Sequence, residues 1–359
     1  MRRIIILLLT MILSIIGIVM IYSSSYIWAI YKYHNAYKFV INQTIFFIIG
    51  LFLVFLLNKI NIKNIYKYSN HFLLISIILL ILVLIPGIGM VRNGSRSWFG
   101  IGPFGIQPSE FAKLSLIIFT AKYLSNNHDY MRSLKKGLMP ILIVIFLVFF
   151  LIMLEPDFGT VFVIVVILIG MIFVSNTKLS FFIYTFLFGI LGFAGLVIIA
   201  PYRIARILSF LNPWSDPLGS GFQIIQSLYA IGPGGLFGQG FMHSYQKHFY
   251  LPEPQTDFIF AIIAEEFGFV GILVVGGLFS LLFYEIVLIA LNQKDLFKKY
   301  LVFGLGFSII FQAFLNLGVV IGLLPVTGVT LPFLSYGGSS LLISMVSIGI
   351  IINISKSNG

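Results

Sequence analysis

Leu138-Met-Pro-Ile-Leu-Ile-Val-Ile-Phe-Leu-Val-Phe-Phe-Leu-Ile-Met-Leu154 contains no charged and no hydrogen-bonding side chain over 17 residues. Residues 4–22 and 72–86 are nearly as apolar. In helical rise, roughly 20 such residues cross a bilayer core of about 30 Å. The whole chain carries the same signature. It is 59% hydrophobic and 9% charged, with a mean hydropathy of +1.08, far outside the range of soluble domains. The alternating apolar-out, polar-in segments of a membrane barrel are absent, so helices are the spanning elements. The fold expected is an all-α polytopic membrane protein forming one membrane domain over residues 1–359.

The pattern predicts ten spans, at about 4–24, 40–58, 71–88, 109–125, 138–154, 159–176, 180–200, 268–291, 300–322 and 337–354. The first follows Met1-Arg-Arg and reads as a retained anchor, since no small-residue cleavage site and soluble mature domain come after it. An even number of spans puts both termini on one side. If that side is the cytoplasm, the inner segments hold 14 of the 22 basic residues, from Arg2 and Arg3 to Lys356, as the positive-inside rule requires. A net charge of +11 is therefore a matter of membrane orientation. Nothing in the distribution forms the basic stripe that nucleic acid needs.

Acids are distributed the opposite way. Glu110, Glu155, Asp157, Asp216, Glu253 and Asp257 lie at or beyond the outer ends of spans, whereas Asp129 and Asp295 alone fall in inner loops. Because acids contribute little to topology, the bias points to chemistry on the outer face. The longest connection, 201–257, is an outer loop, and long ordered loops are usually functional. Continued as one helix, residues 257–291 would span about 50 Å, too much for a single crossing. A break near Gly268 or Gly271 is expected, separating a short helix at about 257–266 from the eighth span.

Several side chains can carry chemistry. Asp257 opens an apolar helix, either as an N-cap or as a desolvated general base. Glu110 and Lys113 are three apart, on one face of the fourth span. A cation one turn into the membrane suits an anionic ligand. Arg203 and Arg206 share the same spacing at the end of the seventh span, as snorkelling anchors or, with Lys113, as a phosphate clamp. Arg96 is a weaker member of the set. Asp157 is explained by Asx-turn chemistry, with metal ligation secondary. Glu265 and Glu266 either line a cavity or cap the break. Ser335, in Pro332-Phe-Leu-Ser-Tyr-Gly-Gly-Ser-Ser340, can bond carbonyls or a sugar. The absence of Cys removes thiolate chemistry, and no nucleotide-binding loop is present. His243 and His248 lack a third ligand at zinc spacing.

Gly17-Ile-Val-Met-Ile-Tyr-Ser-Ser-Ser25, Gly105-Ile-Gln-Pro-Ser-Glu-Phe-Ala-Lys113, Glu155-Pro-Asp-Phe-Gly-Thr160, Tyr250-Leu-Pro-Glu-Pro-Gln-Thr-Asp-Phe-Ile-Phe260 and Leu331-Pro-Phe-Leu-Ser-Tyr-Gly-Gly-Ser-Ser340 resemble the FtsW/RodA/SpoVE (SEDS) family, in order and over nearly the whole chain. Ser209-Phe-Leu-Asn-Pro-Trp214 and Gln246-Lys247 look more like its division and sporulation branch. The resemblance implies a ten-helix peptidoglycan glycosyltransferase that polymerises lipid II into a nascent glycan strand at the outer face of the bacterial plasma membrane. Its partner would be a class B penicillin-binding protein. It puts the family's essential aspartate on Asp257 and its Pro-Ser-Glu-Phe-Ala-Lys block on Glu110 and Lys113. Arg203, Arg206, Arg96, Asp157 and Ser335 are the substrate-binding expectations, and a divalent cation, Mg or Mn, is left open. Glu155 stands where many relatives carry Gln. The rival readings are a lipid II flippase and a non-catalytic scaffold that recruits the synthase.

Overall fold

The computed structural model describes residues 2–92, 94–101, 104–187, 189 and 210–356. Three long helices open the chain: α1 (Arg2–Tyr33), α2 (Lys38–Leu57) and α3 (Ile62–Leu84). A three-stranded antiparallel sheet follows, β1 (Gly89–Arg92), β2 (Ser95–Ile101) and β3 (Phe104–Ile106), in sequential order. Next come α4 (Pro108–Asn126), a π-helical turn (Leu134–Leu138), α5 (Met139–Leu154) and α6 (Phe158–Val174). The described part of the large connection contains α7 (Phe222–Gly234). The chain ends with α8 (Ile259–Leu291), α9 (Leu296–Val320) and α10 (Gly338–Ser355).

Seven helices among the described residues are long and apolar enough to cross a bilayer. Helices also form at two other expected spans. α6 is apolar and has 17 residues. α4 has 19 and buries Glu110 and Lys113 along its length. The expected seventh span, 180–200, falls mostly outside the described residues; its first turns, 179–187, are helical. The sheet at 89–106 was not expected, because its stability lies in ladder bonds between strands rather than in any one strand's sequence.

Helix ends sort onto two faces. On one, the Asn353 side-chain amide donates to the carbonyls of Leu57 and Ile60, both at 2.6 Å. On the same face Tyr66 donates to Asn126 at 2.7 Å, and His128 lies 2.8 Å from the Tyr300 hydroxyl. The sheet, the Glu155–Asp157 turn and the loops before α8 and α10 are at the other ends of these helices.

The break in α8 falls at Gly268, with φ 62° and ψ −154°, a conformation that is effectively glycine's own. A Cβ there would also lie 2.5 Å from the Gly238 nitrogen. Interrupting a helix at this depth frees backbone groups that lipid cannot satisfy, and the preceding loop satisfies them. The N–H groups of Phe269 and Val270 donate to the carbonyls of Gly235 and Leu236, and the N–H groups of Gln239 and Gly240 donate to those of Glu265 and Glu266. The loop and the short helix 259–267 are thus one hydrogen-bonded unit.

Candidate active site

Two amides on α9 organise the site. Gln312 and Asn316 are four residues apart, hence on one face about 6 Å apart in rise, and both are buried. Gln312 Oε1 accepts a 2.7 Å bond from Lys113 Nζ on α4. Asn316 Nδ2 donates to the carbonyl oxygens of Asp257, at 2.7 Å, and Val329, at 2.8 Å. One helix face therefore fixes both the cation of α4 and the backbone that carries Asp257.

Lys113 also donates to Glu110 Oε2 at 2.7 Å, and both side chains are almost wholly buried. Pro108 occupies the first turn of α4, where its missing N–H costs nothing. Gln107 just before it joins three helix starts. Its side-chain amide donates to Asp157 Oδ2 at 2.9 Å, and its backbone N–H donates to Ser339 Oγ at 3.0 Å. Asp157 Oδ1 in turn accepts the Thr160 N–H at 3.1 Å and caps α6, the Asx role expected of it. Burial pushes the Asp157 carboxyl above its ordinary range, opposed by the Thr160 and Gln107 bonds and reinforced by the charge of Glu110. The N-termini of α4, α6 and α10 thus meet, and their aligned N–H groups favour negative charge.

Asp257 lies in the turn just before α8 and is half-buried. It does not cap the helix: the N-cap position is Phe258, without a side-chain bond. Its carboxyl accepts a 2.8 Å bond from Thr256 Oγ1. Desolvation pushes the carboxyl above the usual aspartate range, against the Thr256 bond and with help from the charge of Glu253. The turn is held on both sides, since Tyr336 N–H donates to the Gln255 carbonyl at 2.8 Å. Glu253 has φ +44° and Phe333 φ +67°, unusual for side chains with a Cβ, so the two loops flanking the aspartate are both tightly shaped.

The other expected residues divide. Ser335 is buried and structural in its contacts: its hydroxyl accepts from the Leu331 N–H at 2.8 Å and its carbonyl from Gln43 at 3.1 Å. Arg96 lies on β2, half-buried and paired with Val91. Its sheet reaches the Asp157 turn through Ser95, whose hydroxyl donates to the Glu155 carbonyl. Arg203 and Arg206 lie outside the described residues. Glu265 accepts from Ser244 Oγ at 2.5 Å and from the Tyr245 N–H at 2.7 Å. Glu266 accepts from Ser23 at 2.5 Å and pairs with Lys247 at 3.0 Å. These two acids hold the loop that satisfies the break.

Gln107, Gln312, Asn316 and Ser339 are the residues that sequence reasoning passed over as functional. Their one signal was two amides four apart in an otherwise apolar span. Among the described residues no three metal-ligating side chains converge. The oxygens of Asp157 already accept N–H bonds and Glu110 is bound to Lys113.

A polytopic helical membrane protein with an interrupted helix, a half-buried aspartate and a buried lysine on one face is the class these features define. The family model for the FtsW/RodA/SpoVE cell cycle proteins matches residues 3–359, and the chain belongs to that family. It is 51% identical to stage V sporulation protein E of Bacillus subtilis, over 97% of this chain and 95% of that protein. It is 44% identical to the probable peptidoglycan glycosyltransferase FtsW of Saccharophagus degradans, over 93% and 87%. Among solved structures, a chain from work on structural coordination of polymerization and crosslinking by a peptidoglycan synthase complex superposes with a TM-score of 0.78 at 30% identity, covering 98% of this chain and 97% of that one. The rod shape determining protein RodA of Thermus thermophilus gives 0.72 at 27%, covering 98% and 96%.

Proposed function

We propose that this protein is a peptidoglycan glycosyltransferase in which Asp257 is the general base and Lys113 the buried counter-charge to the leaving group. The observation that carries this reading is the shared anchorage of the two residues on one face of α9, through Asn316 and Gln312. The family relationship supports the activity, and its FtsW relatives and the synthase complex support the substrate and the partner. The substrate is lipid II, and the partner is a class B penicillin-binding protein.

In the mechanism, Asp257 takes the proton of the 4-hydroxyl of an acceptor GlcNAc. The oxygen forms a bond to C1 of MurNAc on the lipid-linked donor, and the bond from C1 to the pyrophosphate oxygen breaks. Undecaprenyl pyrophosphate leaves with the electron pair, and the anomeric configuration inverts. A raised Asp257 pKa suits proton abstraction near neutral pH. Lys113, the meeting helix N-termini and the Arg203–Arg206 pair would oppose the charge that develops on the diphosphate. Gln312 and Glu110 position Lys113.

The site face is extracytoplasmic and both termini are cytoplasmic, with ten spans in one domain and a long outer connection at 201–257. This assignment rests on the seven apolar helices, on α4, α6 and the helix beginning at 179, and on the positive-inside rule. Purified protein reconstituted with labelled lipid II tests the reading, with and without the partner synthase. Polymer formation that Asp257→Asn abolishes is the expected result. Lipid movement without polymer would make the chain a transporter. Polymer made only with the partner synthase present, and surviving Asp257→Asn, would make it a scaffold; polymer made by the chain alone and surviving the substitution would remove Asp257 from the mechanism.

A further inference from the structure

At the opposite end of the molecule, a cavity of about 560 Å³ opens between the α4–α5 connection and the start of the helix at 179. Arg132 and Lys178 line it from the two sides, with Asp129, Ser133 and Ser180 between them. Arg132 Nε donates to Asn176 at 3.2 Å and ties the two walls together. That bond leaves the terminal amino groups of the guanidinium available. Neither cation makes a carboxylate ion pair among the described residues, although Asp129 shares the cavity. The Ser133 hydroxyl accepts from the Lys136 N–H at 3.4 Å and keeps its own proton to donate. The wall beyond Ser133 is the π-helical turn Leu134–Leu138, a geometry often found at functional sites.

The rim has a different character. Tyr130, Leu134 and Tyr184 are each more than half exposed. Surfaces of that kind are stable in hydrocarbon, and tyrosines mark the level of the headgroups. Two unpaired cations and two hydroxyls inside a concavity, opening onto lipid-facing side chains, match a molecule with an anionic head and apolar tails. A free phosphate would use the cations and leave the apolar rim without a role.

We propose that this cavity binds the headgroup of an anionic phospholipid, with its phosphate between Arg132 and Lys178 and its acyl chains along Leu134 and Tyr184. The site is distinct from the glycosyl-transfer site and lies on the face that carries both termini. Its assignment to the cytoplasmic leaflet, where anionic lipid is concentrated, rests on the orientation adopted above. The binding itself does not.

The test uses the purified full-length chain in detergent, titrated with dioleoylphosphatidylglycerol, dioleoylphosphatidylcholine or inorganic phosphate, and read by native mass spectrometry and melting temperature. Phosphatidylglycerol is expected to form retained adducts and raise the melting temperature, while the other two do neither. Losing two interfacial cations should weaken phosphatidylglycerol binding about thirtyfold in R132Q/K178Q. The control K135Q/K136Q removes the same charge from side chains outside the cavity and should weaken it much less. The proposal is overturned if the two double variants lose binding equally, if R132Q/K178Q binds as the parent does, or if phosphatidylcholine or phosphate does as well as phosphatidylglycerol. Since no step involves lipid II, either result leaves the glycosyltransferase reading to its own experiment.

Discussion

The Lys113–Glu110 and Lys247–Glu266 pairs have similar geometry, 2.7 and 3.0 Å, and both are almost wholly buried. Their surroundings differ. Lys247 and Glu266 join the loop before α8 to the short helix before the Gly268 break, and both reach Ser23 of α1. Every contact they make closes a connection the loop requires. Glu110 and Lys113 are three residues apart on one helix, so their pairing joins no separate segments of the chain. The bond that matters is to Gln312, on the helix that also holds Asp257. Burial alone does not separate a structural ion pair from a functional one; the identity of the third partner does.

Removing each lysine in turn separates the two pairs. Lys113→Met should lower the polymerisation rate of folded protein at least about hundredfold, the scale of losing a preorganised charge. Lys247→Met should leave that rate nearly unchanged but cost about 3–5 kcal/mol of stability, because Glu266 is left buried and alone. Neutralising the partners as well, in Lys247→Met/Glu266→Gln and Lys113→Met/Glu110→Gln, should restore much of the stability in both but leave the rate of Lys113→Met/Glu110→Gln low. Rates per folded molecule and urea or thermal unfolding in detergent decide the matter. A dead but fully folded Lys247→Met protein would erase the distinction.

Gly268 sharpens the structural half. Gly268→Ala places a Cβ against the Gly238 nitrogen and the Gly234 carbonyl at a φ that disfavours it, so a stability loss of about 1–3 kcal/mol is expected. Gly276→Ala, where nothing lies within 4 Å, should lose none. Equal melting temperatures for the two would argue against the break.

Glu155 offers the most pH-dependent effect. It is fully buried, both carboxyl oxygens lack a partner, and burial together with the nearby Asp157 pushes it from 4.5 to about 8. The folded protein therefore holds this proton more tightly than the unfolded chain. Its stabilisation is complete below about pH 4.5 and is lost as pH rises towards about 8. Glu155→Gln does not titrate. Its stability relative to the parent should climb across that window, by up to about 1.4 kcal/mol per pH unit. Parallel melting curves for the two proteins over the series would contradict it.

Much of the fold was legible because lipid imposes a simple rule of apolar length, and the Gly268 break followed from a segment too long for one crossing. The sheet at 89–106 was hidden, since its three short strands gain their meaning from one another. Asp257, Glu110 and Lys113 announced themselves as charges in an apolar chain. Gln312 and Asn316 did not, because an uncharged amide in a span reads as a helix-packing contact until its partners are visible. Asp257 read equally as an N-cap, and the geometry that separates the roles, Phe258 at the cap, exists only in three dimensions. Arg203 and Arg206 lie outside the described residues.

Asp257 as the proton acceptor is tested by the pH dependence of single-turnover glycosidic bond formation from lipid II. The parent should show an acid limb above the usual aspartate range, with rate increasing as the carboxyl ionises. Asp257→Asn should lose that limb and fall at least about hundredfold, with an unchanged melting temperature. An asparagine variant that polymerises lipid II at the parental rate, with the limb intact, would contradict the mechanism.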